Sequence, residues 1–332
     1  RTTPCEAIFT LAPQRIADLT EALSRIEEEI AQEEERILLS LVQRLQEIWP
    51  PLWNLHQKLG EWELEWLAIE WAMQPGQVAP ELQLQGELIL VEGRHPILAR
   101  SFPFTPLSLR MREGVTLLTG ANMGGKSVAL QTLLFLQLLV QYGFFVPAQY
   151  FSTRLFQQLY LLTGDGQDAT AGLSSFGFEL VAIQTILQQE GESTLLCLDE
   201  FARGTNPLEG SHFASALVRY LHHGVRGWFT LFVTHFQEAL TVEGIRLYRT
   251  GGLVKEKLKE QGERKASQRS HWESWIAQLQ GWMDYRLYPC RKSEIPAEAK
   301  RIAQLLHLHP PLIAAARRSI SKEGRGVEGG LR

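Results

Sequence analysis

An α/β fold, with a largely parallel sheet covered by helices and a long-helix lever or hairpin ahead of it, is predicted by three observations. Residues 14–74 repeat apolar side chains at three- and four-residue steps, the stripe of an amphipathic helix. From residue 88 onward, short apolar runs alternate with helical stretches, the order that yields parallel strands joined by crossover helices. The longest apolar segment, Leu133 to Val146, is interrupted by Gln137, Gln141 and Gly143. It falls short of the ~18 uninterrupted residues needed to span a bilayer.

In the first region Ile16, Leu19, Leu23, Ile26, Ile30, Ile37, Leu41, Leu45 and Ile48 form one stripe. Pro50-Pro51 is expected to end it, because proline lacks the amide donor and clashes with the preceding turn. A second stripe follows through Leu52, Leu55, Leu59, Trp62, Trp66, Ile69 and Met73. Two helices with a tight break predict an antiparallel hairpin or lever, or a plain packing arm. Gln74 to Gln85, with Pro75, Gly76 and Pro80, reads as a linker.

Beyond the linker, strands are predicted at Leu88–Val91, Val115–Thr119, Leu155–Leu162, Thr194–Leu198, Trp228–Thr234 and Ile245–Tyr248. Helices are predicted at Lys126–Tyr142, Ser174–Glu190, Pro207–His223 and Gln237–Thr241. Residues 255–270 are rich in charge and read as solvated, a last helical region covers about 296–319, and the glycine-bearing tail reads as disordered. The expected organisation is a helical lever over 1–80, an α/β domain over 81–250 and a C-terminal helical dimerisation region with a flexible tail over 251–332.

Charge narrows the partners. The chain carries 33 basic and 37 acidic residues, a net charge of −4. Residues 1–80 hold six basic and fourteen acidic side chains, so this −8 leaves +4 for the rest. Runs such as Glu27-Glu28-Glu29 and Glu33-Glu34-Glu35 would repel a phosphate backbone. Cys5, Cys197 and Cys290 stand far apart, which argues against a disulfide framework or a cysteine zinc site and predicts a cytoplasmic setting. No signal peptide follows Arg1, and a first residue other than methionine is expected of a trimmed chain or a fragment.

The strongest chemical signal is Gly120-Ala121-Asn122-Met123-Gly124-Gly125-Lys126-Ser127, a Gly-x-x-x-x-Gly-Lys-Ser pattern between an apolar strand and an amphipathic helix. This is the setting a phosphate-binding P-loop requires. The glycines let backbone N–H groups turn toward phosphates, and the helix N-terminus adds partial positive charge. Lys126 is expected on the β- and γ-phosphates of ATP and Ser127 on Mg²⁺. The second signal is Thr194-Leu195-Leu196-Cys197-Leu198-Asp199-Glu200, an apolar strand ending in two carboxylates. Asp199 suits Mg²⁺ and Glu200 suits the base that polarises attacking water. Cys197 within the strand reads as a small buried hydrophobe. The third is Phe232-Val233-Thr234-His235, where His235 could sense the γ-phosphate or hold the water.

Together with Arg203-Gly204-Thr205, these residues resemble the ATPase domain of the MutS family, a branch of the ABC-type P-loop ATPases. The resemblance extends to Glu92-Gly93-Arg94-His95-Pro96, to Gly143-Phe144-Phe145-Val146-Pro147-Ala148, and to Asp165–Leu180 with Ser174-Ser175-Phe176 and Glu179. It is close over about 88–250 and loose elsewhere. It implies a dimer, homodimeric or between paralogues, that sandwiches ATP between the P-loop of one subunit and the signature helix of the other. Ser174 would then reach the γ-phosphate in trans, and the C-terminal helices would help dimerise. Phe102, or failing that Phe104, is the candidate for stacking on adenine.

The departures matter as much. The family's DNA-reading members carry a mismatch-recognition domain and a basic clamp, neither of which is visible here. Phe201-Ala202-Arg203-Gly204-Thr205-Asn206-Pro207 also stands where those members are closer to I-G-R-G-T-S. The resemblance therefore implies either DNA mismatch or structure binding in repair, or a protein-remodelling ATPase such as a reactivase of a cobalamin-dependent aminomutase acting on a partner enzyme. A scaffold without turnover is the third reading, and the intact set Lys126, Ser127, Asp199, Glu200 and His235 speaks against it.

Overall fold

A computed structural model of the chain describes residues 4–101, 103–121, 124–164, 175–188, 193–254 and 281–292. The chain divides into two compact units between Leu67 and Ala68.

The first unit is a single helix, α1 (Pro4–Ala72), whose last turn enters the second unit. The expected break at Pro50-Pro51, and with it the hairpin, is not present. Those prolines remove the donors for the carbonyls of Gln46 and Glu47, the partners four residues back. Every residue from 14 to 67 is exposed, so water can reach those carbonyls and, among the described residues, no neighbour prevents the helix from absorbing the rings.

In the second unit the described strands and helices follow as β1 (Gln77–Val78), β2 (Glu81–Leu82), β3 (Leu88–Gly93), α2 (Leu98–Ser101), β4 (Leu107–Met111), β5 (Gly114–Thr119), α3 (Lys126–Gln141), β6 (Val146–Pro147), β7 (Tyr150–Thr153), β8 (Gln158–Thr163), α4 (Ser175–Leu187), β9 (Thr194–Asp199), α5 (Pro207–His223), β10 (Trp228–Val233), β11 (Arg246–Leu253) and β12 (Met283–Pro289). All six predicted strands are present within a few residues. The stretch expected as a helix at Gln237–Thr241 is one 3₁₀ turn, Ala239–Thr241. β1, β2, β4, β6, β7 and β12 escaped the sequence reading, and β1 and β2 lie in the stretch 74–85 expected as a linker, where they pair with β6 and β7. The predicted helices at about 296–319 lie outside the described residues.

Six strands form the central sheet in the order β12-β11-β5-β10-β9-β8. Its five pairings run parallel except for the antiparallel pairing of β11 with β12. The mixed α/β architecture is thus the predicted one. β5 and β10 are buried at every residue, as expected of strands covered on both faces. A smaller sheet, β2-β7-β3-β4, lies on one side.

Two apolar clusters cover the two faces. On one, Leu130, Leu133 and Leu136 of α3 pack with Leu195, Phe229 and Leu231 and with Leu88, Leu90 and Met111 of the smaller sheet. On the other, Ala214, Val218 and Leu221 of α5 and Ile183 and Ile186 of α4 pack on Val115, Leu117, Leu196 and Phe232. The two glutamines that interrupt the α3 pattern are anchors. Gln137 donates from Nε2 to the Arg154 carbonyl at 2.9 Å and accepts at Oε1 from Thr153 Oγ1 at 2.7 Å. Gln141 donates to the Phe156 carbonyl at 2.6 Å and accepts from the Phe156 amide at 3.1 Å.

Candidate functional site

The carboxyl ends of three adjacent parallel strands meet at one edge, where open α/β sheets bind ligands. β10 lies between β5 and β9, with Val233 opposite both Leu118 and Asp199. Two backbone bonds continue this lacing past the strand ends: the Thr234 amide donates to the Leu118 carbonyl and the Glu200 amide to the Val233 carbonyl, each at 3.1 Å. The segments that follow, Gly120 onward, Glu200 onward and Thr234-His235, are therefore neighbours by register.

The turn from β5 into α3 depends on absent side chains. Gly120 has φ of +137°, a region open essentially to glycine alone. A Cβ there would lie 2.1 Å from Thr250 Oγ1 of β11. At Gly124 a Cβ would meet the same oxygen at 2.6 Å and the Ala121 carbonyl at 2.8 Å. Thr250 is 1% exposed, and its hydroxyl has no hydrogen-bond partner among the described residues. Its side chain fills the space that a Cβ at Gly120 or Gly124 would need. Tyr285 of β12 lines the next position, its ring meeting a Cβ built on Gly125 at 3.0 Å, and burial raises its phenol pKa.

α3 then begins at Lys126 with no side-chain cap at Gly125. The start of α5 makes the opposite choice. At α5, Asn206 Oδ1 accepts from the Leu208 amide at 3.0 Å and Pro207 occupies the first helical position, a complete local capping solution. An N-terminus that lacks such a cap is suited to an anion.

Lys126 is 6% exposed. Its ammonium donates to the carbonyls of Gly120 and Ala121, both at 3.0 Å, and lies 3.7 Å from Glu200 Oε1. Burial lowers its pKa, opposed by the charges of Glu200 and Asp199. Glu200, at φ of +52°, also accepts from Arg203 Nη1 at Oε2, 2.6 Å away. Ser127, the first residue after Lys126, is exposed, and Asp199 is half-buried at the end of β9. A hydroxyl and a carboxylate are hard oxygen donors of the kind that hold Mg²⁺ together with phosphate and water. His235 is exposed, its ring centroid 4.6 Å from that of Phe236. Asn122, Phe102 and Ser174, expected on the nucleotide, lie outside the described residues. Phe104, the alternative to Phe102, is half-buried.

Two residues quoted only as parts of longer motifs have definite structural tasks. Glu179 of α4 is 2% exposed and accepts the Ala202 amide at Oε2, 2.7 Å away, fixing the turn after Glu200. Burial raises its pKa, partly offset by that amide. His95 accepts at Nδ1 from the Ile97 and Leu98 amides, each at 3.3 Å, and so caps α2. Burial lowers its pKa. Cys197 is fully buried and its thiol is pushed up to about 12 by burial, which agrees with the inert reading. Thr250 and Tyr285 were missed by sequence reasoning. The available sign was Gly251-Gly252 just past the strand predicted at Ile245–Tyr248, since glycine in a strand marks close approach of another segment.

Among the described residues no group of three or more His, Cys, Asp or Glu side chains is placed to hold a metal. No helix among them is long and apolar enough to cross a membrane.

Comparison with known proteins converges on one family. Residues 116–255 match the model of MutS domain V. The DNA mismatch repair protein MutS of Thermus thermophilus is 35% identical over 217 residues, covering 65% of this chain and 26% of that protein. The protein of the same name from Halalkalibacterium halodurans is 31% identical over 222 residues, again 65% and 26%. That of a Synechococcus species is 36% identical over 181 residues, or 52% and 20%. The chain thus spans about a quarter or less of the length of these curated relatives. The strand-end edge built by β5, β9 and β10 falls inside the matched segment, and it is to MutS domain V that this segment is similar.

Proposed function

We propose that the chain is a MutS-family ATP hydrolase that couples ATP binding and hydrolysis to closure of a dimer, acting in DNA mismatch or structure binding and repair in the cytoplasm. The observation that carries the reading is the convergence of Lys126 on Glu200, 3.7 Å apart at the mouth of an uncapped glycine turn, inside a segment similar to MutS domain V. Lys126, now held by two carbonyls, would exchange them for the β- and γ-phosphates. The uncapped α3 amides, with Gly120, Asn122, Gly124 and Gly125, would surround the phosphate chain. Phe102 would stack on adenine. Ser127 and Asp199 would hold Mg²⁺, which when bound neutralises phosphate charge. Glu200 would polarise water and His235 would sense the γ-phosphate or hold that water. Ser174 of the opposing subunit would complete the site.

A second reading, a remodelling ATPase acting on a partner enzyme, is favoured by one observation. Residues 14–67 of α1 are exposed and strongly acidic, a poor surface for a phosphate backbone.

ATP turnover with no addition, with homoduplex and with mismatched or branched DNA, at one moderate salt concentration, separates the two. A rate change specific to one DNA structure supports the repair reading, and indifference to all of them supports the remodeller. Glu200→Gln is expected to reduce hydrolysis by about 10²–10⁴-fold while keeping ATP bound in a closed dimer. A variant that hydrolyses at the wild-type rate removes Glu200 from the mechanism. Ser174→Ala is expected to lower turnover more than ATP affinity. If mixing it with a P-loop variant restores activity in no arrangement, the opposing-subunit contact is wrong.

A further inference from the structure

The turn that carries Glu200 places a second cation on it, and this has a consequence for the reaction that the fold alone does not state. Arg203 Nη1 sits 2.6 Å from Glu200 Oε2 while Lys126 Nζ faces Oε1 at 3.7 Å. Both carboxylate oxygens therefore look at positive charge. A carboxylate that is to polarise water needs an oxygen turned to that water with its lone pairs available.

The backbone enforces the arrangement. Glu200 and Ala202 have φ of +52° and +66°, the Arg203 amide donates back to the Glu200 carbonyl at 3.2 Å, and the buried Glu179 holds the Ala202 amide. The turn thus folds Arg203 over the acid it follows.

The two cations differ in what can remove them. Lys126 is buried and, on the reading above, leaves for the phosphates when ATP binds. Arg203 keeps 65% of its side chain in solvent, is too exposed to be locked, and has no such exit built into the P-loop. We infer that Arg203 is a positioning residue that restrains Glu200, so that hydrolysis proceeds only when this guanidinium swings away. The inference rests on Glu200 acting on water.

An exposed ion pair of this kind is worth little, up to about a fivefold population shift, and that sets the scale of the test. Steady-state ATP hydrolysis and equilibrium ATP binding are measured on the full chain for Arg203→Ala, Arg203→Gln and Arg203→Lys. Removing the charge, in Arg203→Ala and in the length-preserving Arg203→Gln, is expected to raise kcat about two- to fivefold with KM and ATP affinity within about twofold. Arg203→Lys, which keeps the cation, is expected to return kcat toward the wild-type value. A fall in kcat in the Ala and Gln variants at unchanged affinity overturns the restraint and makes Arg203 an aid to Glu200. Unchanged kcat in both overturns it as well. Hydrolysis that is lost in Glu200→Gln but indifferent to Arg203 sinks this inference alone. Hydrolysis that survives Glu200→Gln brings down the underlying reading together with it.

Discussion

α1 and α3 are built from similar material and end in opposite situations. Both carry apolar stripes at helical spacing. In α3, Leu130, Leu133 and Leu136 are 0% exposed and fix the helix between two sheets. In α1, Leu41 keeps 49% of its surface in solvent, Ile37 51% and Trp62 67%. Periodicity in a sequence therefore reports a face with a tendency to be covered. Only tertiary structure tells whether something covers it. The same difference governs tolerance of irregular residues. α1 carries Pro50-Pro51 through its middle, whereas the buried polar side chains of α3 are all paired, Thr132 with the Val128 carbonyl and Gln137 with the Arg154 carbonyl and Thr153.

The comparison can be broken most directly by truncating one leucine in each helix. Leu133→Ala is expected to cost about 2–5 kcal/mol, the usual range for an apolar core side chain that leaves a cavity, read as a shift in the denaturant midpoint. Next in size is Pro50→Ala with Pro51→Ala. Interior proline disfavours a helix by about 3 kcal/mol relative to alanine, so the double variant is expected to deepen helical circular dichroism and raise the temperature at which that signal is lost. No change would mean that the chain near residue 50 is not helical in solution.

Glu179→Gln is a smaller, pH-dependent effect. Burial raises the folded pKa of Glu179 above its ordinary 4.5, so between 4.5 and the folded value the native state holds a proton the unfolded chain has released. Stability from this group is complete below 4.5 and is lost as pH rises through the folded pKa. Glutamine can still accept the Ala202 amide, so the variant is expected to show a flatter decline of melting temperature over that window. An identical decline in both proteins would show that Glu179 titrates as an exposed acid. Smallest is Leu41→Ala in α1, expected within about 0.5 kcal/mol as for other exposed substitutions. A cost approaching that of Leu133→Ala would mean that this face of α1 is covered in solution.

The sheet and its edge were readable because their signals are local. Continuous apolar runs mark strands buried on both faces, and β5, β9 and β10 are of that kind. The glycine spacing before Lys126 carries its own geometric necessity. Pro207 with Asn206 fixes the start of α5 to the residue. What escaped was set by contacts far along the chain. β4 and β7 are short and find their pairing in β3, and β12 depends on β11. Thr250 lies against Gly120 although 130 positions separate them in the sequence. Glu179 looked like one acid among many until Ala202 was placed beside it. The proline break failed for the reverse reason. The rule assumes that the chain gains by stopping, and an exposed helix with solvent-accessible carbonyls has less to gain.

The four hydrogen bonds at Gln137 and Gln141 give α3 a mechanical character. Each amide grips the segment 153–156 with both its donor and its acceptor, so the far half of the helix is bolted in register like a rod set in a bracket. A displacement that begins at Lys126 has two outlets: it is absorbed in the first turns, or it carries the bracket and β8 along with it. The helix that begins at the glycine turn is thus tied at its far end to a fixed segment by two glutamines.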